Sequence, residues 1–214
     1  MTPAEASQKT AEICQLAPVI PVLVIHDVAI AADLAKALIA GGLPVLEITL
    51  RTPAALSAIE EMAKVDGGVV GAGTLLTPDD VSKAVAAGSK FGVSPGSTPT
   101  LLDAAEAADL PMLPGAATAT EAMALLERGY SVQKFFPAEA SGDAPSLKAL
   151  AGPLPQVRFC PTGGVAPGNV DAYLNLPNTI CVGGSWVAPQ DKIDAKDWSG
   201  IEALARAAAE LGQA

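Results

Sequence analysis

The sequence is poor in histidine and in aromatic residues. Histidine occurs once, as His26, and Phe, Trp and Tyr together make up 4% of the chain. A single histidine excludes HExxH and HxH metal clusters, and we expect no histidine-based catalytic triad. Any catalysis is therefore expected to use lysine, carboxylate, hydroxyl or backbone groups.

Cysteine is also scarce. Cys14, Cys160 and Cys181 are odd in number and have no CxxC spacing, so neither a disulfide framework nor a thiolate zinc site is indicated. We expect reduced thiols, with Cys160 and Cys181 serving as small apolar fillers inside strands. The sequence predicts no metal site.

Basic residues are outnumbered, since 13 Lys and Arg face 23 Asp and Glu and the formal net charge is −10. This balance argues against a nucleic-acid or anionic-membrane surface, because phosphate backbones are bound mainly by accumulated cations. A small anionic molecule is still compatible, because a few local donors can bind it. The early apolar run Leu16 to Ile25 is short and interrupted by Pro18 and Pro21, so we expect a cytoplasmic protein that is neither exported nor anchored.

The apolar segments alternate with Ala- and Leu-rich stretches of helical spacing. The eight strand-like segments are Pro18–Ile25, Pro44–Leu50, Val69–Thr74, Phe91–Pro95, Pro111–Gly115, Ser131–Pro137, Val157–Thr162 and Thr179–Ser185. Helical stretches are predicted over Val28–Ala40, Pro53–Lys64, Pro78–Ala87, Thr98–Ala108 and Thr118–Glu127, several with a Thr or Thr-Pro start signal.

Eight βα units in 214 residues predict one (β/α)8 TIM barrel domain over residues 1–214. Thr2 to Leu16 is expected to form an additional helix before the first strand, and Ile201 to Leu211 a closing one. A doubly wound open sheet is the alternative. Active sites of the barrel fold lie at the carboxyl ends of the strands, so we expect the functional residues at those ends.

The second predicted strand, VLEITLR, carries its polar residues on one face. Alternation places Leu46, Ile48 and Leu50 outward against helices and points Glu47 and Thr49 inward. Arg51 then lies at the mouth of the barrel. This arrangement fits a buried Glu–Arg ion pair that fills the barrel as well as it fits a functional carboxylate.

The sixth predicted strand contains Lys134, on the face shared by Val132 and Phe136. An unpaired lysine is almost never fully buried. A salt bridge to Glu47 across the barrel is the structural interpretation. The functional interpretation is an amine kept partly neutral by its surroundings, so that it can attack a carbonyl and form a Schiff base.

Two glycine pairs follow the last two predicted strands, in Thr162-Gly163-Gly164 and Gly183-Gly184-Ser185. Either pair alone is most often a tight turn. At these two strand ends, their backbone N–H groups can form the phosphate site common in this fold.

These motifs together resemble those of the 2-keto-3-deoxy-6-phosphogluconate (KDPG) aldolase family. The resemblance runs from about Pro18 to Trp186 through VLEITLRT, GAGT, SPG, PG, KFFPAE, FCPTGG and VGGSW, of which KFFPAE and PTGG are the most specific. It implies a homotrimeric class I aldolase with a (β/α)8 barrel and no cofactor, often acting also on 4-hydroxy-2-oxoglutarate (KHG).

The resemblance also implies residue roles. Lys134 is the expected Schiff-base lysine and Glu47 the general acid/base, while Arg51 and Thr74 bind the pyruvyl carboxylate. Pro95, Phe136 and Thr162 shape the pocket, and Gly163, Gly164, Gly184 and Ser185 hold the phosphate. His26 matches no motif and is interpreted as a solvated loop residue, Glu139 as a cap of the following loop, and Trp186 and Trp198 as core or interface residues.

Two other functions remain compatible with the sequence. One is an aldolase acting mainly on KHG, or on the galactonate epimer of KDPG. The other is a phosphosugar isomerase or epimerase, which needs the glycine loops but no imine-forming lysine.

Overall fold

The computed structural model describes residues 1–212. These residues form nine strands, which are β1 Val19–Leu23, β2 Val45–Thr49, β3 Val69–Gly73, β4 Phe91–Val93, β5 Met112–Leu113, β6 Gly115–Ala116, β7 Val132–Phe135, β8 Arg158–Pro161 and β9 Val182–Gly184. The α-helices are α1 Pro3–Cys14, α2 Ala31–Ala40, α3 Ala55–Met62, α4 Pro78–Ala86, α5 Pro99–Ala107, α6 Ala119–Arg128, α7 Asp143–Ala151, α8 Val170–Leu174, α9 Gln190–Asp194 and α10 Trp198–Ala209.

The strands pair in parallel in two curled sheets. One has the order β5-β4-β3-β2-β1-β9 and the other the order β6-β7-β8. Apart from β9 joining β1, neighbours in space are neighbours in the chain, without the reversal of strand order that a doubly wound sheet requires. The α/β alternation predicted from the sequence is confirmed, and the doubly wound alternative is not supported.

The prediction of one continuous strand over Pro111–Gly115 is wrong, because this segment forms the short strands β5 and β6 on either side of Pro114. Proline has no N–H with which to continue a ladder. Its carbonyl is still used, since it accepts a hydrogen bond from the Lys134 N–H at 2.8 Å. The break places β5 in one sheet and β6 in the other.

The two sheets also approach each other at β8 and β9. Single parallel bridges pair Phe159 with Thr179 and Thr162 with Gly183, and the Phe159 N–H donates to the carbonyl of Asn178 at 2.7 Å. Within the predicted strand Thr179–Ser185, regular β-structure therefore begins only at Val182. Thr179, its first residue, forms a single bridge with Phe159.

Threonine side chains begin four of the helices. Thr2, Thr77 and Thr118 each form a capping box with an acidic residue three positions later, and Thr98 accepts a hydrogen bond from the Leu101 N–H. These contacts satisfy N–H groups that have no partner within the first helical turn. The observed starts agree with the Thr signals in the sequence.

Two helix predictions needed correction at their starts. The helix predicted from Pro53 begins at Ala55, after a turn. The segment predicted as helix from Val28 begins as a 3₁₀ turn, which Asp27 caps through the Ala29 N–H, before α2 starts at Ala31. Their bodies lie within the predicted bounds.

The inner face of the curled sheets is filled by one cluster of buried residues. It contains Cys14, Ile20, Val45, Phe91, Val93, Leu113, Val132, Cys160 and Cys181. Cys14 comes from α1, whose Ser7 accepts hydrogen bonds from the N–H groups of Ser131 and Val132 at the start of β7. Helix α1 therefore covers the amino ends of the strands and leaves the carboxyl ends open. Among residues 1–212, no helix combines the length and apolarity needed to cross a membrane.

Candidate active site

A cavity of about 250 Å³ lies at the carboxyl ends of the strands. Its lining comes from β1, β9 and the loops that follow β1, β2, β7, β8 and β9. It consists of Val22, Val24, Arg51, Phe136, Thr162, Gly163, Gly164, Val165, Gly183, Gly184 and Ser185. Seven of the eleven catalytic and substrate-binding residues predicted from the sequence thus line this cavity.

Lys134 and Glu47 form a buried ion pair beside this cavity. Nζ of Lys134 lies 3.1 Å from Oε1 and 3.5 Å from Oε2 of Glu47, and the two residues are 4% and 2% exposed. They come from β7 and β2, which belong to different sheets. The salt bridge proposed from the sequence is therefore present, and it places an acid/base within hydrogen-bonding distance of a candidate nucleophile.

The alternation of β7 explains why this lysine points inward. Gln133, on the opposite face, is held by hydrogen bonds from Nε2 to the carbonyls of Ala122 and Tyr130. Phe135 packs edge to face on Phe159, with ring centroids 6.1 Å apart. With these two side chains fixed outward, Lys134 must face the interior, where its Nζ lies 5.4 Å from the centre of the Phe136 ring.

Arg51 and Thr74 lie together at the mouth of the site. Nε of Arg51 donates to Oγ1 of Thr74 at 3.3 Å. Thr74 has a φ of 64°, an unusual and strained conformation for a β-branched residue, and one that often marks functional positions. Within the described part of the chain, Arg51 forms no ion pair, so its charge is available to an anion.

The loop after β8 exposes consecutive backbone donors to the cavity. Gly163 and Gly164 have φ values of 97° and 86°, which glycine adopts without steric cost. No hydrogen bond within residues 1–212 uses the N–H groups of Gly163, Gly164 or Val165. Together with the exposed Ser185 across the cavity, this loop forms a cradle for an anion without a cationic side chain.

Thr162 and Pro95 differ in how they relate to the cavity. Thr162 is 5% exposed, lines the cavity and packs its side chain against Gly183. Pro95 lies outside the lining, and its carbonyl packs against Gly115 instead. Gly115 is the residue paired with Lys134 in the sheet, so the Pro95 carbonyl packs against the strand next to that of the lysine.

Three expectations for neighbouring residues can be compared with the structure. His26 is exposed in the loop after β1, as expected. Cys160 and Cys181 are buried in the inner cluster, and hydrogen bonds with Cys14 and Cys160, together with burial, raise the pKa of Cys181 well above its usual value. The capping role expected for Glu139 is wrong, because neither the 3₁₀ turn Glu139–Ser141 nor α7 has a side-chain cap. The Glu139 carboxylate instead accepts a hydrogen bond from the Tyr173 hydroxyl.

Two contributors to the site were missed in the sequence. Gly73 provides space for the Glu47 carboxylate, since a Cβ at Gly73 would overlap Oε1 and lie 2.7 Å from Cγ of Glu47. The Gly-x-Gly spacing on β3 was the available signal. No signal pointed to Tyr173, which reaches Glu139 from α8, 34 positions away.

The fold is a parallel α/β fold, and its site combines a buried lysine–carboxylate pair with an amide-lined cradle. These features are typical of enzymes whose reactive lysine lies at the carboxyl ends of the strands. Residues 10–204 match the family described as KDPG and KHG aldolase. The chain belongs to this family, which confirms the resemblance seen in the motifs.

Individual relatives agree with this assignment. The 2-dehydro-3-deoxy-phosphogluconate aldolase of Pseudoalteromonas atlantica is 50% identical over 192 residues, which is 89% of each chain. The KDPG aldolase of Zymomonas mobilis ZM4, solved with 3-phosphoglycerate, is 49% identical with a TM-score of 0.91, covering 95% of this chain and 96% of that one. The KDPG aldolase of Legionella pneumophila, solved with pyruvate captured as a covalent carbinolamine, is 46% identical with a TM-score of 0.90, covering 94% and 98%.

Proposed function

We propose that the protein is a class I aldolase that cleaves KDPG to pyruvate and glyceraldehyde 3-phosphate. The observation that carries this proposal is the buried Lys134–Glu47 pair, 3.1 Å apart, beside a cavity lined with free backbone N–H groups. The activity fits the relatives, which include KDPG aldolases about 50% identical to this chain.

Lys134 is the proposed nucleophile. Proton transfer to Glu47 leaves a neutral amine, whose lone pair attacks the C2 ketone to form a carbinolamine. Glu47 then protonates the departing hydroxyl, and loss of water gives a protonated imine that accepts electrons. The carbinolamine captured in the Legionella pneumophila relative supports this first step.

Glu47 is the proposed acid/base for bond cleavage. Removal of the C4 hydroxyl proton forms the aldehyde carbonyl as the C3–C4 bond breaks, and that electron pair moves to the imine nitrogen to give an enamine of pyruvate. Glyceraldehyde 3-phosphate leaves first. Protonation at C3 and hydrolysis of the imine then release pyruvate and restore Lys134.

The substrate's two anionic ends have separate proposed sites. The carboxylate binds Arg51 and the Thr74 hydroxyl, and Arg51 has no competing ion pair within the described residues. The phosphate binds the amides of Gly163, Gly164 and Gly184 and the Ser185 hydroxyl. The net charge of −10 provides no general attraction for an anion, so local donors must provide the affinity.

Phe136 and Thr162 line the space between these ends, and Pro95 supports the wall from outside through Gly115. The phosphate cradle favours KDPG over KHG as the main substrate. The isomerase or epimerase alternative has no use for Lys134 and is not favoured.

We also infer that the two sheets form one closed (β/α)8 barrel within the described residues 1–212. The bridges between β8 and β9, and the direct succession of β5 and β6 along the chain, support closure. A homotrimer is proposed from family membership. Sedimentation equilibrium at micromolar concentration is expected to give three times the chain mass, and a monomer with full activity would contradict the trimer.

The deciding experiment traps the imine. Borohydride reduction with pyruvate, followed by peptide mapping, should place a stable adduct on Lys134. An adduct on Lys36, Lys90 or Lys148, or no adduct, would overturn the assignment. Lys134→Arg should fold but form no adduct, since a guanidinium is not a usable nucleophile, whereas Lys90→Arg should be trapped like the wild type.

A further inference from the structure

The anion cradle is supported from behind by two residues that do not line the cavity. Tyr173 of α8 is 1% exposed, and its hydroxyl donates a hydrogen bond to Oε1 of Glu139. Glu139 follows β7 on the same chain segment as Lys134. Burial, followed by the hydrogen bond to Glu139, raises the pKa of Tyr173, so the hydroxyl keeps its proton.

Glu139 contacts the cradle directly. A Cβ at Gly164 would overlap Cγ and lie 2.7 Å from Cβ of Glu139, so the Glu139 side chain packs directly on the Gly164 backbone. In addition, the Glu139 N–H donates to the carbonyl of Gly163 at 3.1 Å. The Glu139 side chain therefore packs on Gly164, and the Glu139 N–H binds Gly163.

Asn169 holds the far side of the same loop. Its Nδ2 donates to the carbonyl of Gly164 at 3.1 Å, and its Oδ1 accepts from the Ala166 N–H at 2.8 Å. Asn169 thus binds the Gly164 carbonyl, while the Glu139 N–H binds the Gly163 carbonyl, and neither uses the N–H groups of the two glycines. The Gly164 backbone therefore lies between the Glu139 side chain and Asn169.

A carboxylate so close to an anion cradle has two effects that oppose each other. It supports the glycine backbone, but it also carries the same charge as phosphate and can itself accept hydrogen bonds from free N–H groups. The Tyr173 hydroxyl occupies one carboxylate oxygen and fixes the side chain. Without this hydroxyl, Glu139 can turn toward the cradle and compete with phosphate.

We propose that Glu139 and Tyr173 are positioning residues for phosphate recognition, with Tyr173 holding the Glu139 carboxylate against the back of Gly164 and away from the cradle N–H groups. This inference rests on the proposed function. It assigns the specificity for a phosphorylated substrate partly to α8, which contributes no residue to the cavity lining.

The test compares the two tyrosines of the chain. Tyr173→Phe removes the hydroxyl that holds Glu139. Tyr130→Phe is the matched control, because Tyr130 is also fully buried and donates to a carboxylate, Oε1 of Glu106 at 3.1 Å, but does so outside the cavity lining. Each variant removes one hydrogen bond from tyrosine to a carboxylate. Glu106 keeps two hydrogen bonds from Arg128, so Tyr130→Phe should lose no more stability than Tyr173→Phe.

Only Tyr173→Phe should change phosphate recognition. We expect its KM for KDPG and its inhibition constant for inorganic phosphate to rise about 5–10-fold. This is about the change in affinity expected from the loss of one hydrogen bond. Its turnover of KHG, which has no phosphate, and its imine trapping with pyruvate should stay within about twofold of wild type. Equal KM values for KDPG in the two tyrosine variants would overturn the proposal, as would parallel losses on KDPG and KHG.

A second pair of variants separates charge from packing. Glu139→Gln keeps an acceptor for Tyr173 and the same stem against Gly164, so its KM for KDPG should remain near wild type. Glu139→Ala removes both contacts and should raise that KM at least as much as Tyr173→Phe. If Glu139→Ala binds phosphate normally, Glu139 does not position the cradle. The wild-type enzyme tests the proposed function separately, because failure of its pyruvate adduct or its KDPG cleavage would reject that function whatever these variants show.

Discussion

Gly73 and Glu47 lie on adjacent strands, and the Glu47 carboxylate fills the space where a side chain at Gly73 would be. A Cβ at Gly73 would lie 2.7 Å from Cγ and 2.9 Å from Cδ of Glu47. Contacts under 3 Å between such atoms would force a shift, so glycine at position 73 provides the space in which the Glu47 carboxylate reaches Lys134. The proposed acid/base is therefore positioned by the absence of a side chain on β3.

This relationship predicts the effect of Gly73→Ala. The added methyl group should push the carboxylate away from Lys134 and slow KDPG cleavage by about 10²-fold or more, within the range for a displaced acid/base. The overpacking should also lower stability by about 1–3 kcal/mol. Steady-state kinetics and thermal unfolding measure both effects. Gly96→Ala is the control, because a Cβ at Gly96 meets nothing within 4 Å. Wild-type kcat in Gly73→Ala would show that Glu47 acts from another position.

A direct test of Glu47 uses Glu47→Gln, which preserves side-chain size in the buried site. We expect imine trapping with pyruvate to remain detectable, while turnover falls by roughly 10²–10⁴-fold. Exchange of the pyruvate methyl protons with deuterated solvent, followed by NMR, reports the C3 proton transfer separately. Near-normal turnover and exchange would reduce Glu47 to a structural partner of Lys134.

Thr74 allows stability and activity to be separated. Its φ of 64° is unfavourable for a β-branched residue, so Thr74→Gly should unfold at the same or a higher temperature than wild type. The same change removes the hydroxyl next to Arg51 and should raise the KM for substrates with a pyruvyl carboxylate about 5–10-fold. Thr74→Ser keeps the hydroxyl and should retain activity. A large loss of stability in Thr74→Gly would contradict the strain argument.

Ser185 should matter for one substrate and not for the other. Ser185→Ala removes the proposed hydrogen bond to the phosphate, which is worth about 1.5–3 kcal/mol, so kcat/KM for KDPG should fall by about one to two orders of magnitude. Cleavage of KHG should change little. Ser82→Ala, on the exposed face of α4, serves as the control. Equal losses on both substrates would move the phosphate site elsewhere.

The capping box of α6 predicts a pH-dependent contribution to stability. The Ala117 N–H, the Thr118 hydroxyl and the Thr118 N–H donate to Glu121 and hold its pKa below its usual value. A carboxylate with a lowered folded-state pKa stabilises the fold above the unfolded pKa of about 4.3, and this contribution is lost as the pH falls through the folded value. Glu121→Ala should therefore lower Tm at pH 7 by about 2–4 °C.

The difference between Glu121→Ala and wild type should shrink when Tm is measured below pH 4, because wild-type Glu121 is then increasingly protonated. Glu127→Ala, an exposed carboxylate on the same helix, should show no such dependence. A Tm difference for Glu121→Ala that is constant from pH 7 to pH 3 would assign the effect to packing.

The sequence by itself determined the alternation of strands and helices, the inward direction of Glu47 and Lys134, and the glycine loops at the strand ends. These features are local: alternation along a strand, a threonine cap or a glycine pair is specified by neighbouring residues. Pro114 shows the limit of such reasoning, because whether a proline interrupts a strand depends on whether a neighbouring strand requires an N–H donor at that position.

Tertiary structure alone decided which side chains meet. Glu47 and Lys134 are 87 positions apart, Tyr173 and Glu139 are 34 apart, and the three cysteines join from α1, β8 and the approach to β9. Such contacts depend on the curvature of the sheets. They also depend on glycine positions, where the lack of a Cβ lets a side chain from a neighbouring element approach closely. The sequence does not indicate which side chains Gly73 and Gly164 contact. Only the packed structure shows that Gly73 lies against Glu47 and Gly164 against Glu139, because a close contact is a property of both partners.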